Sequence, residues 1–221
     1  TQNNNYVVGE NKNTSIIGNL NSVIQYSALS TTLPNYGEDV PIWYDISGNN
    51  NHLPIMVYPV PQQQPVFNTD SGVNKIILNK RGYLANYTIK TLFMVFKLTA
   101  TGPYPHLFCL DKTDGNFFSM YINASRYIIS SVLTYVNLIG GGQSSPQNYD
   151  GVATNNNHNH SWQITLDTIA IISVKCNNTH GNGAHLFDNH VVTSDGGFAG
   201  NIYECIVFDT ILDNTNMDNI H

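Results

Sequence analysis

Ile42-Trp43-Tyr44-Asp45-Ile46-Ser47-Gly48-Asn49-Asn50-Asn51-His52 is the stretch whose reading decides the fold. Its first half is β-branched and aromatic, which suits a pleated, half-buried surface. Its second half is Ser, Gly and Asn, residues that bond their own backbone and tolerate turn geometry. A strand thus carries Trp43 directly into a polar turn, and an indole in that position is a core anchor.

From this stretch outward, short β-rich runs alternate with turn clusters at regular intervals, the signature of a sandwich or barrel. The runs are 22–29, 40–45, 75–78, 91–98, 106–110, 117–122, 127–134, 168–174, 184–187, 190–193 and 201–208. Within 201–208, strict alternation puts Ile202, Glu204, Ile206 and Phe208 on one face and Asn201, Tyr203, Cys205 and Val207 on the other. Both sets are largely apolar, so this strand is expected to be covered on both sides, as is the continuously apolar Leu92–Phe96. Trp43, Phe93, Val95, Ile202 and Ile206 are the expected core. Asp111-Lys112-Thr113-Asp114-Gly115-Asn116 reads as a hairpin connection and Phe187-Asp188-Asn189-His190 as a tighter one. The tail from Asp213 to Ile220 reads as one or two helical turns capped by Asp213. Gly140 to Ser161 is the longest stretch with an irregular pattern, and long loops in compact domains are often functional.

Residues 42–52 resemble the W-x-D-x-S-G-N-x-N entry signature of laminin-G-like, concanavalin A-like jelly-roll domains. Tyr87–Lys97 is similar to their central core strand. Gly196–Asp209, with Leu212-Asp213-Asn214 after it, is similar to their closing F-x-G-x-I-x-E-x-I-V-Y-D strand and terminal turn. The resemblance spans roughly 22–221. It implies an all-β fold, a two-sheet antiparallel jelly-roll sandwich over 22–221, preceded by an Asn-rich arm or linker over 1–21. It is specific for fold and poor for function, because such folds host lectins, enzymes and inert modules alike.

Composition removes several functions. Only 11% of residues are charged, nine are basic, and the formal net charge is −6. Nucleic-acid binding needs clustered Lys and Arg to displace counterions, so no nucleic-acid partner is expected. No apolar run approaches the ~20 residues of a membrane span, and no basic start followed by an apolar run marks a signal peptide. The 31 asparagines stand where charge usually does, giving a neutral hydrogen-bonding surface. Cys109, Cys176 and Cys205 sit in apolar runs without C-x-x-C spacing and read as small buried thiols.

Catalysis finds little support. Retaining glycosidases need two carboxylates ~5 Å apart, but Glu10, Glu38 and Glu204 are the only glutamates and none has an acidic partner at the required spacing. Glu204 occupies the position where the resembling closing strand commonly carries a structural Glu. No nucleophile-elbow, zincin or P-loop motif occurs. His158 and His160 alternate, and His180, His185 and His190 recur in a second polar region, but a neutral Asn/His loop explains both groups as well as a metal does. Calcium is the cofactor that the resemblance would add, through loop oxygens such as Asp45, Asn49, Asp70, Asp111, Asp114 and Asp188.

Sugars are held by amides reaching hydroxyls and by aromatic rings against the apolar sugar face. Tyr149, Asn155, Asn156, Asn157, His158, His160 and Trp162 supply this chemistry in one segment, with Tyr104 and His106 as neighbours, and form the expected glycan-binding site. A solvated Asn tract leading into a core Trp162 is the competing reading. The sequence thus points to a non-catalytic glycan- or receptor-binding or attachment module. Its scarce charge, polar arm and free cysteines suit the surface of a virion, with other subunits as partners. A carbohydrate-binding or adhesin domain of a secreted bacterial protein is the alternative.

Overall fold

The computed structural model describes residues 24–28, 33–55, 64–70, 72–79, 82–85, 88–101, 105–111, 117–131, 133–145, 147–150, 157–176, 184–187 and 198–220. Segment 1–21, the run 190–193, and Asp114, Asp188, Asn155 and Asn156 lie outside them.

Among the described residues pairing is antiparallel throughout and forms two main sheets and a short hairpin. The larger sheet runs, edge to edge, β12 (Gln147–Asp150), β11 (Leu133–Gly140), β14 (Ile169–Cys176), β7 (Thr91–Leu98), β16 (Ala199–Phe208), β5 (Val73–Asn79) and β4 (Val66–Asp70), with β1 (Ile24–Ser27) also on β16. The smaller runs β13 (Asn157–Gln163), β10 (Tyr127–Ser131), β9 (Phe117–Ile122), β8 (His106–Asp111), β15 (Ala184–Leu186) and β6 (Tyr83–Ala85). β2 (Ile42–Trp43) pairs with β3 (Leu53–Pro54).

One apolar cluster joins the two sheets: Leu92, Met94, Phe96 and Val136 of the larger meet Phe108, Met120, Ile128 and Leu186 of the smaller. Trp43 is fully buried in it between Tyr26 and Tyr83, at ring-centroid distances of 5.3 and 5.7 Å, and its Nε1 donates to Ser27 O at 3.4 Å. A second cluster lies on the outer face of the larger sheet, where Phe93, Tyr135, Ile206 and Phe208 are covered by Leu212 and by Met217 of helix α1 (Asn214–Ile220). Asp213 caps that helix as expected, with Asn216 N donating to its Oδ1 at 2.8 Å. Lys175 Nζ sits 4.7 Å from the Tyr135 ring centroid and donates to Asn214 Oδ1, tying the helix to the sheet.

Four of the five expected core residues are buried, while Val95 is half-buried on the outer face. β16 is covered on both sides, as its composition implies, but its faces are not those of strict alternation. The register slips between Ile202 and Glu204, so Tyr203 is an extra residue against the Phe96-to-Val95 step of β7. A bulge of this kind reverses the pattern beyond it. Ile202, Cys205 and Val207 therefore join the main core, and Ile206 and Phe208 face α1. The slip also marks where β16 exchanges one neighbour for another, β5 up to Ile202 and β1 from Glu204.

Two further readings are corrected. The run 127–134 is not one strand: β10 ends at Ser131 in the smaller sheet and β11 begins at Leu133 in the larger. Gly140 to Ser161 is not one irregular loop, since it contains β12 and the first part of β13. Both strands are amide-rich and lack the apolar alternation by which strands are read.

Candidate functional site

Asp45, expected among calcium-ligating oxygens, is a buried structural acceptor. Its Oδ1 takes Gln25 N at 3.1 Å and Ser47 N at 2.8 Å, and its Oδ2 takes Asn51 N at 3.1 Å. The carboxylate lone pairs are thus engaged by backbone donors, which is why Asp stands between Trp43 and the Gly48–Asn50 turn. Gly48 and Asn50 both have positive φ, as such a turn requires. Asp70 and Asp111 belong to strand ends, opposite Val73 and Phe117. Among the described residues no group of three or more His, Cys, Asp or Glu could hold a metal ion.

The expected glycan segment is distributed between two environments. Tyr149 is in β12, in register with Val136 of β11. His160 is 4% exposed, its ring stacked at 4.7 Å on Trp162, which packs against the main core. Trp162 is thus partly buried against the core with His160 beside it, while Asn157 belongs to a paired strand. Gly140, Gly141 and Gly142 all have positive φ, and a Cβ on Gly142 would lie 2.1 Å from Thr165 Oγ1. These glycines are demanded by close packing against the 164–170 turn rather than giving a loop its freedom.

Asn157 and His158 open β13 opposite Ser131 and Ser130, and Asn159 follows opposite Ile129. Ile129 in turn faces Tyr121, and Tyr121 faces His106, so one row crosses four strands as Asn159, Ile129, Tyr121, His106. Because Met120, Ile122 and Ile128 point into the core, Tyr121 and Ile129 point away from it. The His106 and Tyr121 rings are 5.2 Å apart. Tyr127, two residues before Ile129, continues the face opposite Gln163. Ser119 and His185, in register with Cys109 on either side, form the next row.

Ile129 and His106 are buried on this outer face, whereas Tyr121, Tyr127, Ser119 and His185 are half-buried. Among the described side chains of these rows none is acidic, Lys or Arg: they bring the Ser119 hydroxyl, the His106 and His185 imidazoles, the Tyr121 and Tyr127 phenols and the Gln163 amide, groups that can hydrogen-bond and stack. His106, expected near the Asn/His segment, stands in the same row as Asn159 with β9 and β10 between them, and Tyr104 lies outside the described residues. Tyr121 and Tyr127 escape the sequence reading, and His185 was read only with His180 and His190, because only strand pairing brings them to this face.

Glu204 lies on the far face of the larger sheet, where its Oε1 accepts from Gln25 Nε2 at 3.1 Å. Burial raises its carboxyl pKa, partly offset by that hydrogen bond. All three cysteines are buried and none is in a disulfide. Burial lifts the Cys176 thiol to about 12, and burial with the Glu204 charge raises Cys205. Comparison with protein-family models, curated proteins and solved structures gives no match to this chain.

Proposed function

We propose that this chain is a non-catalytic recognition module that binds a glycan or glycosylated receptor on the outer face of its smaller sheet. The observation that carries the reading is the neutral row Asn159, Ile129, Tyr121, His106, flanked by Tyr127 and Gln163. A neutral polyol needs such a surface: rings against its apolar face and uncharged donors and acceptors for its hydroxyls. Neutral hydrogen bonds contribute about 1 kcal/mol each, so single-site affinity is weak and gains from many copies.

The fold belonging to this reading is a concanavalin A-like jelly roll. Nested pairing supports it: β5 pairs with β16, β6 with β15 and β7 with β14, alternating between the two sheets. A long hairpin wrapped over two sheets gives that order. The setting we infer is the surface of a virion, where multiple copies raise avidity. Among the described residues no helix is long and apolar enough to cross a membrane.

A glycan array and cell-attachment assay on the chain and on Tyr121→Ala and Tyr127→Ala tests the proposal. Attachment should fall about threefold to tenfold per ring removed, with cooperative unfolding retained. Unchanged attachment by both folded variants, or release of reducing ends from a bound polysaccharide, overturns it.

A further inference from the structure

Two irregularities of the smaller sheet meet at one point. In β8 the register slips between His106 and Phe108: His106 stands opposite Tyr121 and Phe108 opposite Met120, so Leu107 is an extra residue. In β15 the ladder with β8 ends at Leu186, and the next residue, Phe187, has a φ of 59°. A bulky side chain rarely takes that left-handed conformation. The two irregularities are joined directly, because Phe187 N donates to Leu107 O at 2.7 Å. Together they send consecutive side chains of each strand into the core, Leu107 with Phe108 and Leu186 with Phe187, all fully buried.

On the outer face the consequence falls on His106. Were β8 regular from the Phe108–Met120 pair onward, Leu107 would stand opposite Tyr121, and His106 opposite Ile122 on the core face. The bulge exchanges them. Leu107 enters the core, and the His106 ring lies on the outer face 5.2 Å from the Tyr121 ring, tilted 38° to it. That separation is within the range of attractive ring pairs. On its other side Tyr121 is in register with Ile129, an aliphatic side chain, so the imidazole is the flat neighbour against which the phenol is set. Bulges beside functional sites re-aim side chains, and strained backbone persists where its surroundings impose it.

We infer that His106 is a positioning residue of the recognition face: the Leu107 bulge turns its imidazole onto Tyr121, and this contact holds the phenol in the orientation that meets a ligand. The inference rests on the recognition reading above and adds that His106 acts through Tyr121. Burial supports that division, since His106 is 8% exposed and offers a ligand little surface, whereas Tyr121 is only half-buried.

A double-mutant cycle on the whole chain, read as attachment to glycan surfaces, tests this. His106→Leu keeps the site filled but removes the flat ring. It should lower attachment about threefold to tenfold with the melting temperature held, and His106→Phe should recover most of that loss. In the Tyr121→Ala background, His106→Leu should cost nothing further. Should the Leu variant melt early, His106→Gln takes its place in the same cycle. Equal losses in both backgrounds, no recovery by His106→Phe, or full attachment by a folded variant without the ring overturns the positioning role and leaves the recognition face standing. Unchanged attachment by Tyr121→Ala removes the recognition reading at this ring, and the inference with it.

Discussion

At the scale of single residues, Asp45 links sequence to fold most directly. Three backbone N–H groups depend on its carboxylate, and a buried donor left unsatisfied costs about 1–3 kcal/mol. Asp45→Ala should therefore destabilise the domain by several kcal/mol in urea unfolding, and Asp45→Asn by less. Wild-type stability of Asp45→Ala would mean that the turn is held by other groups. Glu204 gives the opposite sign. Its folded-state pKa is raised by burial, so the protonated form is favoured on folding. That contribution is fully present below the unfolded pKa, about 4.3, and is lost as pH rises through the folded value. Glu204→Gln, which keeps an acceptor for Gln25, should raise the melting temperature at pH 7 and change it little near pH 4. A loss of equal size at both pH values would show that the carboxylate is favourably engaged. The buried thiols should resist alkylation by iodoacetamide at pH 8 until denaturant is added; rapid native labelling of Cys176 or Cys205 would contradict their placement.

Among the elements, the Gly140–Gly142 turn and β16 show what local pattern conveys and what it hides. A glycine run reads as a mobile loop from sequence. Here Gly141 N donates to Ile169 O and Thr165 N to Gly141 O, both at 2.8 Å, locking two turns together. Gly142→Ala must both adopt positive φ and displace Thr165, so a loss of about 2 kcal/mol or more in denaturant unfolding is expected. An unaffected midpoint would show that the turn relaxes freely. The β16 strand was legible as buried on both sides because both residue sets are apolar. Its facing was not legible, because one bulge at Tyr203 exchanges the sides and no residue type announces it. The amide-rich β12 and β13 were missed for a related reason: their pairing is set by neighbours, and their composition resembles a loop. Helix α1 was legible to its cap, since Asp before a short amphipathic tail is a purely local signal.

For the whole molecule, nested pairing makes long-range closure the slow event. Ile76 meets Ile202, Leu84 meets His185 and Met94 meets Ile172, pairs far apart in the chain. Refolding should therefore take milliseconds to seconds or longer, without native sheet forming in microseconds. Stopped-flow circular dichroism near 218 nm checks this, and a complete microsecond phase would be incompatible with the pairing. Edges are also managed at this scale. β1 is bounded by the Asp45 turn through Gln25, and β4 by the 37–40 segment through Val40 N to Pro65 O and Phe67 N to Glu38 O. β12 is short and β13 carries a register slip, both of which limit unwanted strand addition.

By itself the sequence determined the all-β class, the burial of Trp43, the double coverage of the closing strand, the capped tail and the neutral chemistry of the surface. These are properties of residue type and period, which act over a few neighbours. Only the tertiary structure decided which residues share a face. It sent His160 and Trp162 inward, engaged Asp45 with backbone donors, and aligned Asn159 with Ile129, Tyr121 and His106 across four strands. Strand register is fixed by contacts between segments distant in the chain, and a slip of one residue reverses a face, so no local pattern contains it.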